Sequence, residues 1–243
     1  MPPFKILFED ETLLVIDKPT GVVVNRVDSS SDEETIQDWV EHKFSIFNYQ
    51  FSNTSEQEFF VRGGIVHRLD KDTSGLLVIA KTPQAFESLK NQFKQRSIVK
   101  KYLALVHGKV VPAQSTIRVP VARSRVKSTH FTVSVEGREA ETSYTVLQVY
   151  RLHSSDYSFL ELSPKTGRTH QIRVHLKYIG HPIVSDPIYA GRKQYQKDLI
   201  FCPRLFLHAA HLRLVHPVTA LVLDFASSLP ADLQNSLSML SLI

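Results

Sequence analysis

Apolar runs of strand length, a stretch over residues 116–150 that alternates with a period of two, and apolar positions at helical spacing divide this chain into its expected elements. Residues 4–8 (Phe-Lys-Ile-Leu-Phe) and 12–17 (Thr-Leu-Leu-Val-Ile-Asp) predict two short strands around the acidic turn Glu9-Asp10-Glu11. Lys18-Pro19-Thr20-Gly21 breaks the chain, because proline removes a backbone donor and glycine permits a turn. Val22-Val23-Val24 then resumes an extended run. Ile36, Trp39, Val40 and Phe44 fall at helical spacing and predict an amphipathic helix over 33–44, with Ser29-Ser30-Ser31-Asp32 as a loop able to cap it. Residues 45–58 are polar and unpatterned, which predicts a surface loop.

Leu76-Leu77-Val78-Ile79-Ala80 is an apolar run of strand length, as expected of a buried strand. Thr82-Pro83 reads as a cap followed by proline at the first helical position. Phe86, Leu89 and Phe93 mark the core face of the helix it opens, running to about Gln95. Val99 to Val106 returns to strand, closed by Gly108. Residues 116–150 alternate: Phe131, Val133 and Val135 share one side, Glu136-Gly137 turns the chain, and Thr142, Tyr144 and Val146 follow, which predicts a hairpin. Tyr157 to Leu162 is another strand. Thr166-Gly167-Arg168-Thr169 is a turn with a candidate cap, and Ile172, Leu176 and Ile179 mark a helix stopped by Gly180. Leu205 to Val215 and Leu221 to Phe225 supply two last strands, and Ala231 to Leu240 a short helix. Strands outnumber helices and are hairpin-connected, so the expected class is α+β with a mostly antiparallel sheet. No repeat or linker appears, so one domain over residues 1–243 is expected.

Between Phe59-Phe60-Val61 and the Leu76–Ala80 run lies the densest polar stretch of the chain, Arg62 to Gly75. It packs three basic residues, two carboxylates, a histidine and three glycines into fourteen positions. Charges must be solvated or paired, so such density between ordered runs is where a site is expected. The charge of the whole chain is +5, but its distribution is uneven. Residues 1–60 carry 4 Lys/Arg against 12 Asp/Glu, whereas residues 61–127 carry 14 against 3. A basic middle section of that kind is the footprint of a polyanion-binding surface.

Composition narrows the chemistry further. The single cysteine, Cys202, excludes an intrachain disulfide and a cysteine-based zinc site. Residues 1–5 show no apolar signal region, and no run reaches the roughly 20 apolar residues of a membrane helix. These features lead to the expectation of a soluble cytoplasmic protein without membrane contact. Eleven histidines raise the question of a metal. His170 and His175 are five apart rather than four, and His208 and His211 fall on opposite faces of an expected strand, so no metal site is expected. No phosphate-loop, dinucleotide or Gly-x-Ser-x-Gly pattern occurs. What remains is Asp70. Taken alone it reads as the cap of a turn, helped by Asp72, Thr73 and Ser74. A second charged cluster, Lys165 to Arg173, offers arginines able to pair with a partly buried carboxylate and favour its charged form.

Four blocks of the chain resemble motifs of one known family. His67-Arg68-Leu69-Asp70-Lys71-Asp72-Thr73-Ser74-Gly75 resembles the catalytic motif of the RluA-type pseudouridine synthases. Lys100-Lys101-Tyr102-Leu103-Ala104 resembles their tyrosine motif, and Gly167 to His175 their arginine motif. Leu207-His208-Ala209-Ala210 with His216-Pro217 resembles their closing segment, so the likeness covers about residues 4–225. The resemblance implies isomerisation of uridine to pseudouridine within ribosomal or transfer RNA, without a cofactor. It implies the pseudouridine-synthase fold, a mixed and mainly antiparallel sheet with a central cleft flanked by helices and loops. Asp70 matches the catalytic aspartate, Tyr102 the residue packing on the target base, and Arg173 the salt-bridge partner of Asp70. Arg68 matches the arginine that enters the RNA stack where the base leaves. His67, Lys101, Arg123, Arg125 and Arg168 are further candidate RNA contacts, as are Lys90, Lys94, Arg96, Arg118 and Lys127. Whether Asp70 attacks C1′, adds to C6 or removes a C2′ proton stays open. A monomer is expected, and the chain has no room for the S4-like RNA-binding domain that many family members carry ahead of the catalytic part. Ser185 stands where the family pattern has glycine. A non-catalytic RNA-binding scaffold and an Asp70-dependent hydrolase are the alternative classes.

Overall fold

A computed structural model describes residues 4–26, 33–44 and 54–243, the side chains of residues 54 and 55 excepted. In chain order the first elements are β1 (Lys5–Glu9), β2 (Leu13–Lys18), α1 (Ile36–Phe44), α2 (Thr54–Val61), β3 (Ser74–Ala80), α3 (Pro83–Gln95) and β4 (Val99–His107). Next come β5 (Gln114–Arg118), β6 (Val121–Arg123), β7 (Phe131–Val133), β8 (Glu141–Leu152), β9 (Ser155–Pro164) and α4 (Gln171–Tyr178). The chain ends with α5 (Arg192–Asp198), β10 (Leu207–Val215), β11 (Val222–Ala226), α6 (Ala231–Ser238) and β12 (Ser241–Leu242). The class is α+β, as expected, and the described ladders are antiparallel. No helix among the described residues is long and apolar enough to cross a membrane.

The chain divides into two compact units. The first comprises residues 1–99 and 211–227, the second residues 100–210 and 228–243. In the first unit β1 pairs with β2 and β2 with β3, and β11 lies against the later residues of β10. All seven residues of β3 are buried, and Leu13 to Ile16 of β2 are wholly inaccessible. An apolar run without alternation is what a strand covered on both faces requires. Asp10 shapes the β1–β2 turn by accepting the Thr12 and Leu13 amides. Helix α1 is opened by Thr35 and Asp38 in a reciprocal capping arrangement, each side chain taking the other's backbone amide. Residues 29–32, expected to cap it, lie outside the described residues. Thr82 caps α3 by accepting the Ala85 amide, Pro83 follows, and Phe86 and Leu89 are buried, as their spacing predicts.

Two expectations fail in this unit. Residues 54–58 belong to helix α2 rather than to a loop. Its amphipathic signal is weak because one turn is polar, and its order comes from Phe59, whose buried ring packs edge-on against Phe86. Val22 to Val24 form no strand; the carbonyls of Val23 and Val24 instead receive the first amides of α1 from Ile36 and Gln37.

In the second unit β8 and β9 form a long hairpin around His153-Ser154, β4 pairs with β9, and β5 and β12 pair with β8. Leu105, Leu160, Leu162, Leu176, Ile183 and Phe206 are at its core. The expected hairpin across Glu136-Gly137 is replaced by a different pairing. Strand β7 pairs with β6 in a separate two-stranded ribbon, while β8 belongs to the larger sheet. Gly137 lies so close to Val121 that a Cβ there would come within 2.7 Å of its carbonyl carbon, and Val121 and Arg138 exchange amide hydrogen bonds. The turn therefore folds back onto β6. Helix α4 begins after His170 in a left-handed conformation without a side-chain cap, so Thr169 is not its cap.

Candidate active site

In the first unit the Arg62–Gly75 stretch is anchored at both ends. At its start, Gly64 O accepts the Ala80 amide and Ile65 bridges Ile79, which lays the chain along the edge of β3 that β2 does not occupy. Gly64 has φ +71°, and a Cβ would sit 2.1 Å from Ala80 O, so the approach requires glycine. His67 follows, its Nε2 accepting the Val78 amide at 3.0 Å and its ring stacked on Phe93. At the far end Thr73 N donates to Asp70 O, closing a tight turn. Lys71 O accepts the Gly21 amide and Thr20 Oγ1 donates to Asp72 O. Asp70 is half-buried within that turn and Arg68 is exposed.

Lys18 is what ties this turn down. It is wholly buried, and its Nζ donates to the carbonyls of Pro19, Val22 and Lys71 at 2.9, 2.9 and 3.0 Å. A buried ammonium is tolerated only when its donors are satisfied, and this one joins the Lys18–Val22 loop to the Asp70 turn. Sequence reasoning took Lys18-Pro19-Thr20-Gly21 only as a chain break. The available signal was a lysine ending a strand whose first four positions are all apolar.

In the second unit Tyr102 stands on β4 opposite Leu162, half-buried beside the core. Lys101 projects to the other face of the strand and pairs with Glu161 at 3.1 Å. Burial holds the Lys100 ammonium down to about 8. Arg173 lies on the first turn of α4 with its side chain 3% exposed. Its Nε and Nη2 donate to the two oxygens of Asp186, each at 2.8 Å. Asp186 is also wholly buried and accepts the amides of Ile188 and Tyr189, so this charge pair is satisfied on both sides. The Arg173 guanidinium lies 5.1 Å from the centre of the Tyr189 ring. Tyr189 Oη in turn accepts the Phe131 amide and lies 2.9 Å from His170 Nδ1. Arg123 covers the Phe131 ring. The β6–β7 ribbon is thus fastened to the start of α4, which links Arg123 to Arg173 through two aromatic rings.

The remaining candidate contacts divide by environment. Arg168 donates to Glu139 O, and Arg125, near the end of the ribbon, pairs with Glu136. Lys90 is engaged by Glu58 and Glu87, and Arg118 by Glu141. Asp186 and Tyr189 escaped sequence reasoning because the Ser-Asp-Pro-Ile-Tyr segment read as loop punctuation. Among the described residues no group of three or more His, Cys, Asp or Glu could hold a metal ion. His175 is instead structural: its Nε2 lies 3.1 Å from Val119 O and its Nδ1 3.0 Å from Thr142 Oγ1.

With this geometry described, comparison with known proteins places the chain. The RNA pseudouridylate synthase family model matches residues 12–178, a span that includes Asp70, Tyr102 and Arg173. Ribosomal large subunit pseudouridine synthase D of Nitrosomonas europaea is 40% identical over 235 residues, covering 95% of this chain and 63% of that protein. The protein of the same name from Pseudomonas aeruginosa is 39% identical over 244 residues, covering 97% and 71%. The solved structure of human RNA pseudouridylate synthase domain containing 1 superposes with a TM-score of 0.72 at 26% identity, covering 99% of this chain and 89% of that one. The chain therefore belongs to the RluA-type family of RNA pseudouridine synthases. It spans about two thirds of the length of the two bacterial relatives.

Proposed function

We propose that this protein isomerises uridine to pseudouridine within RNA, using Asp70 and no cofactor. The observation that carries the reading is the family match across the span holding all three motifs, at about 40% identity to enzymes named for the ribosomal large subunit. Those names favour large-subunit ribosomal RNA as the substrate, with transfer RNA as the second candidate.

The chemistry fits the residue types. The C1′–N1 bond breaks, C5 joins C1′, C5 loses a proton and N1 gains one, so the product is an isomer. A base stacked in a helix cannot turn in this way and must be flipped out, at a cost of a few kcal/mol. Arg68, planar and exposed, would occupy the vacated position in the stack. Tyr102 would offer its ring to the flipped base. Cleavage leaves positive character on the ribose, which a carboxylate stabilises or captures covalently, as in glycosidases. Asp70 would serve there, and the motif resemblance assigns Arg173 the role of its charge partner. The exposed Arg123 and Arg125 of the ribbon, with Arg168, Lys101 and the basic middle section, would meet the phosphates.

The test is Asp70→Asn with ribosomal and transfer RNA lacking the modification. The expected result is loss of pseudouridine formation with RNA binding retained. Pseudouridine formed at the wild-type rate would overturn the assignment, and release of free uracil would favour a hydrolase.

A further inference from the structure

On the edge of β3 that β10 also borders, one acceptor position is filled by the His67 imidazole. Backbone amides two residues apart point to the same edge of a strand. On the edge of β3 away from β2, the Ala80 amide is taken by Gly64 O at 2.9 Å. The chain bridges Ile79 through Ile65 and then diverges toward Arg68. The next amide on that edge is Val78, and its acceptor is a side chain, His67 Nε2. Val78 is wholly inaccessible, so its amide would otherwise be a buried orphan. A backbone amide can only donate. Nε2 must therefore present its lone pair, with the ring proton on Nδ1 and no net charge on the imidazole. Stacking on Phe93, with ring centroids 4.8 Å apart and planes at 30°, fixes the ring in that plane.

We propose that His67 is a positioning residue: a neutral acceptor that latches the first end of the Arg68–Asp70 segment to β3, and not an RNA contact. The other end of that segment is already held by Lys18, Thr20 and the Asp70–Thr73 turn. With His67 held on one side and the Lys71 carbonyl on the other, Arg68 and Asp70 lie on a short span supported at both ends. Removing the first moves the nearest support on that side back to the Ile65–Ile79 bridge and lengthens the unsupported span. The latch itself stands on the hydrogen-bond geometry, and its kinetic consequence rests on the function proposed above.

Two variants separate the possibilities. His67→Phe keeps a ring against Phe93 but has no acceptor, and His67→Gln returns an acceptor oxygen at about the reach of Nε2. Amide exchange at Val78 is measured for each, together with the single-turnover rate at saturating RNA and the RNA affinity as a function of salt. His67→Phe is expected to speed Val78 exchange by about tenfold or more and to lower the saturating rate by a similar factor. Affinity and salt slope should stay within about twofold, and His67→Gln should recover most of both losses. Unchanged Val78 exchange in His67→Phe overturns the latch whatever the enzyme does. Weakened binding with a flatter salt slope in both variants, at an undiminished saturating rate, makes His67 a phosphate contact and also overturns it. If exchange responds as expected while the wild-type protein makes no pseudouridine, the latch stands and the proposed function falls. Should His67→Phe fail to fold, His67→Asn, whose acceptor falls short of the amide, takes its place with the same expected outcomes.

Discussion

Lys18 in the first unit and Arg173 in the second are both buried cations, and they are held in opposite ways. Lys18 is gripped by three backbone carbonyls drawn from two loops. Arg173 is gripped by one carboxylate, which is itself held by two backbone amides. An ammonium is a compact point charge whose three donors can turn to suit the carbonyls they find, so Lys18 works as a tether between loops. A guanidinium is a rigid planar fork, and a bidentate carboxylate fixes its plane as well as its place. The first unit thus secures the position of its acidic turn, whereas the second secures the orientation of a basic group. A tether suffices to place a loop, whereas a planar group is oriented only by a two-point grip.

The sharpest way to break this contrast is Asp186→Ala. It strips the carboxylate from a buried guanidinium, and the expected loss is about 3–5 kcal/mol of stability, read by chemical denaturation. Arg173→Lys should recover little of the proposed activity, since one ammonium cannot reproduce a two-point grip. A loss below about 1 kcal/mol for Asp186→Ala would mean that the pair does not orient the arginine. Lys18→Met comes next, with an expected cost of about 2–3 kcal/mol, because hydrogen bonds from a charged donor to the loops are lost while the stem volume is kept. Exchange should rise at the Gly21 and Thr73 amides of the joined loops. Protection unchanged at both would deny Lys18 its role as a tether.

The smallest effect distinguishes the units by acid. Burial lowers the pKa of His175 in the second unit below its ordinary 6.5. The unfolded chain therefore takes up this proton first, so the contribution of His175 is complete above about pH 6.5 and declines as pH falls below it. In the first unit burial raises the pKa of Asp10, but hydrogen bonds from His216 and from the Leu13 and Thr12 amides outweigh it and bring the pKa down to about 2. The Asp10 contribution is present above about pH 3.8 and lost only toward pH 2. Amide protection followed between pH 7 and 5 should thus fall around α4 and β8 before it falls in the β1–β2 turn. The reverse order would show that other groups dominate the acid response.

Legibility in the sequence was uneven, and the physical reason differs by element. Leu76 to Ala80 read correctly as a buried strand, and Thr82-Pro83 as a helix start, because burial on both faces and capping are each written in adjacent residues. The α2 helix was missed because its support, Phe86, lies outside its own window. The β7 strand was given the wrong partner because alternation reports which side of a strand is apolar and is silent on which strand will lie beside it. Asp70, Tyr102 and Arg173 were found through motif resemblance, since a lone aspartate in a turn-forming run has an ordinary local explanation. Lys18, His67 and Asp186 show the same limit from the other side. Each has a partner distant in the sequence: Lys71 for Lys18, the Val78 amide for His67, Arg173 for Asp186.

The residues alone settled the α+β class, most element positions, the basic middle section and the family whose motifs the chain carries. The folded chain decided which buried polar groups meet, which strand borders which, and that the His67 ring accepts the Val78 amide. Periodicity is a property of neighbours along the backbone and survives in a linear string of letters. Hydrogen-bond partnership is a property of neighbours in space, and it comes into being only when burial leaves a donor one acceptor to find.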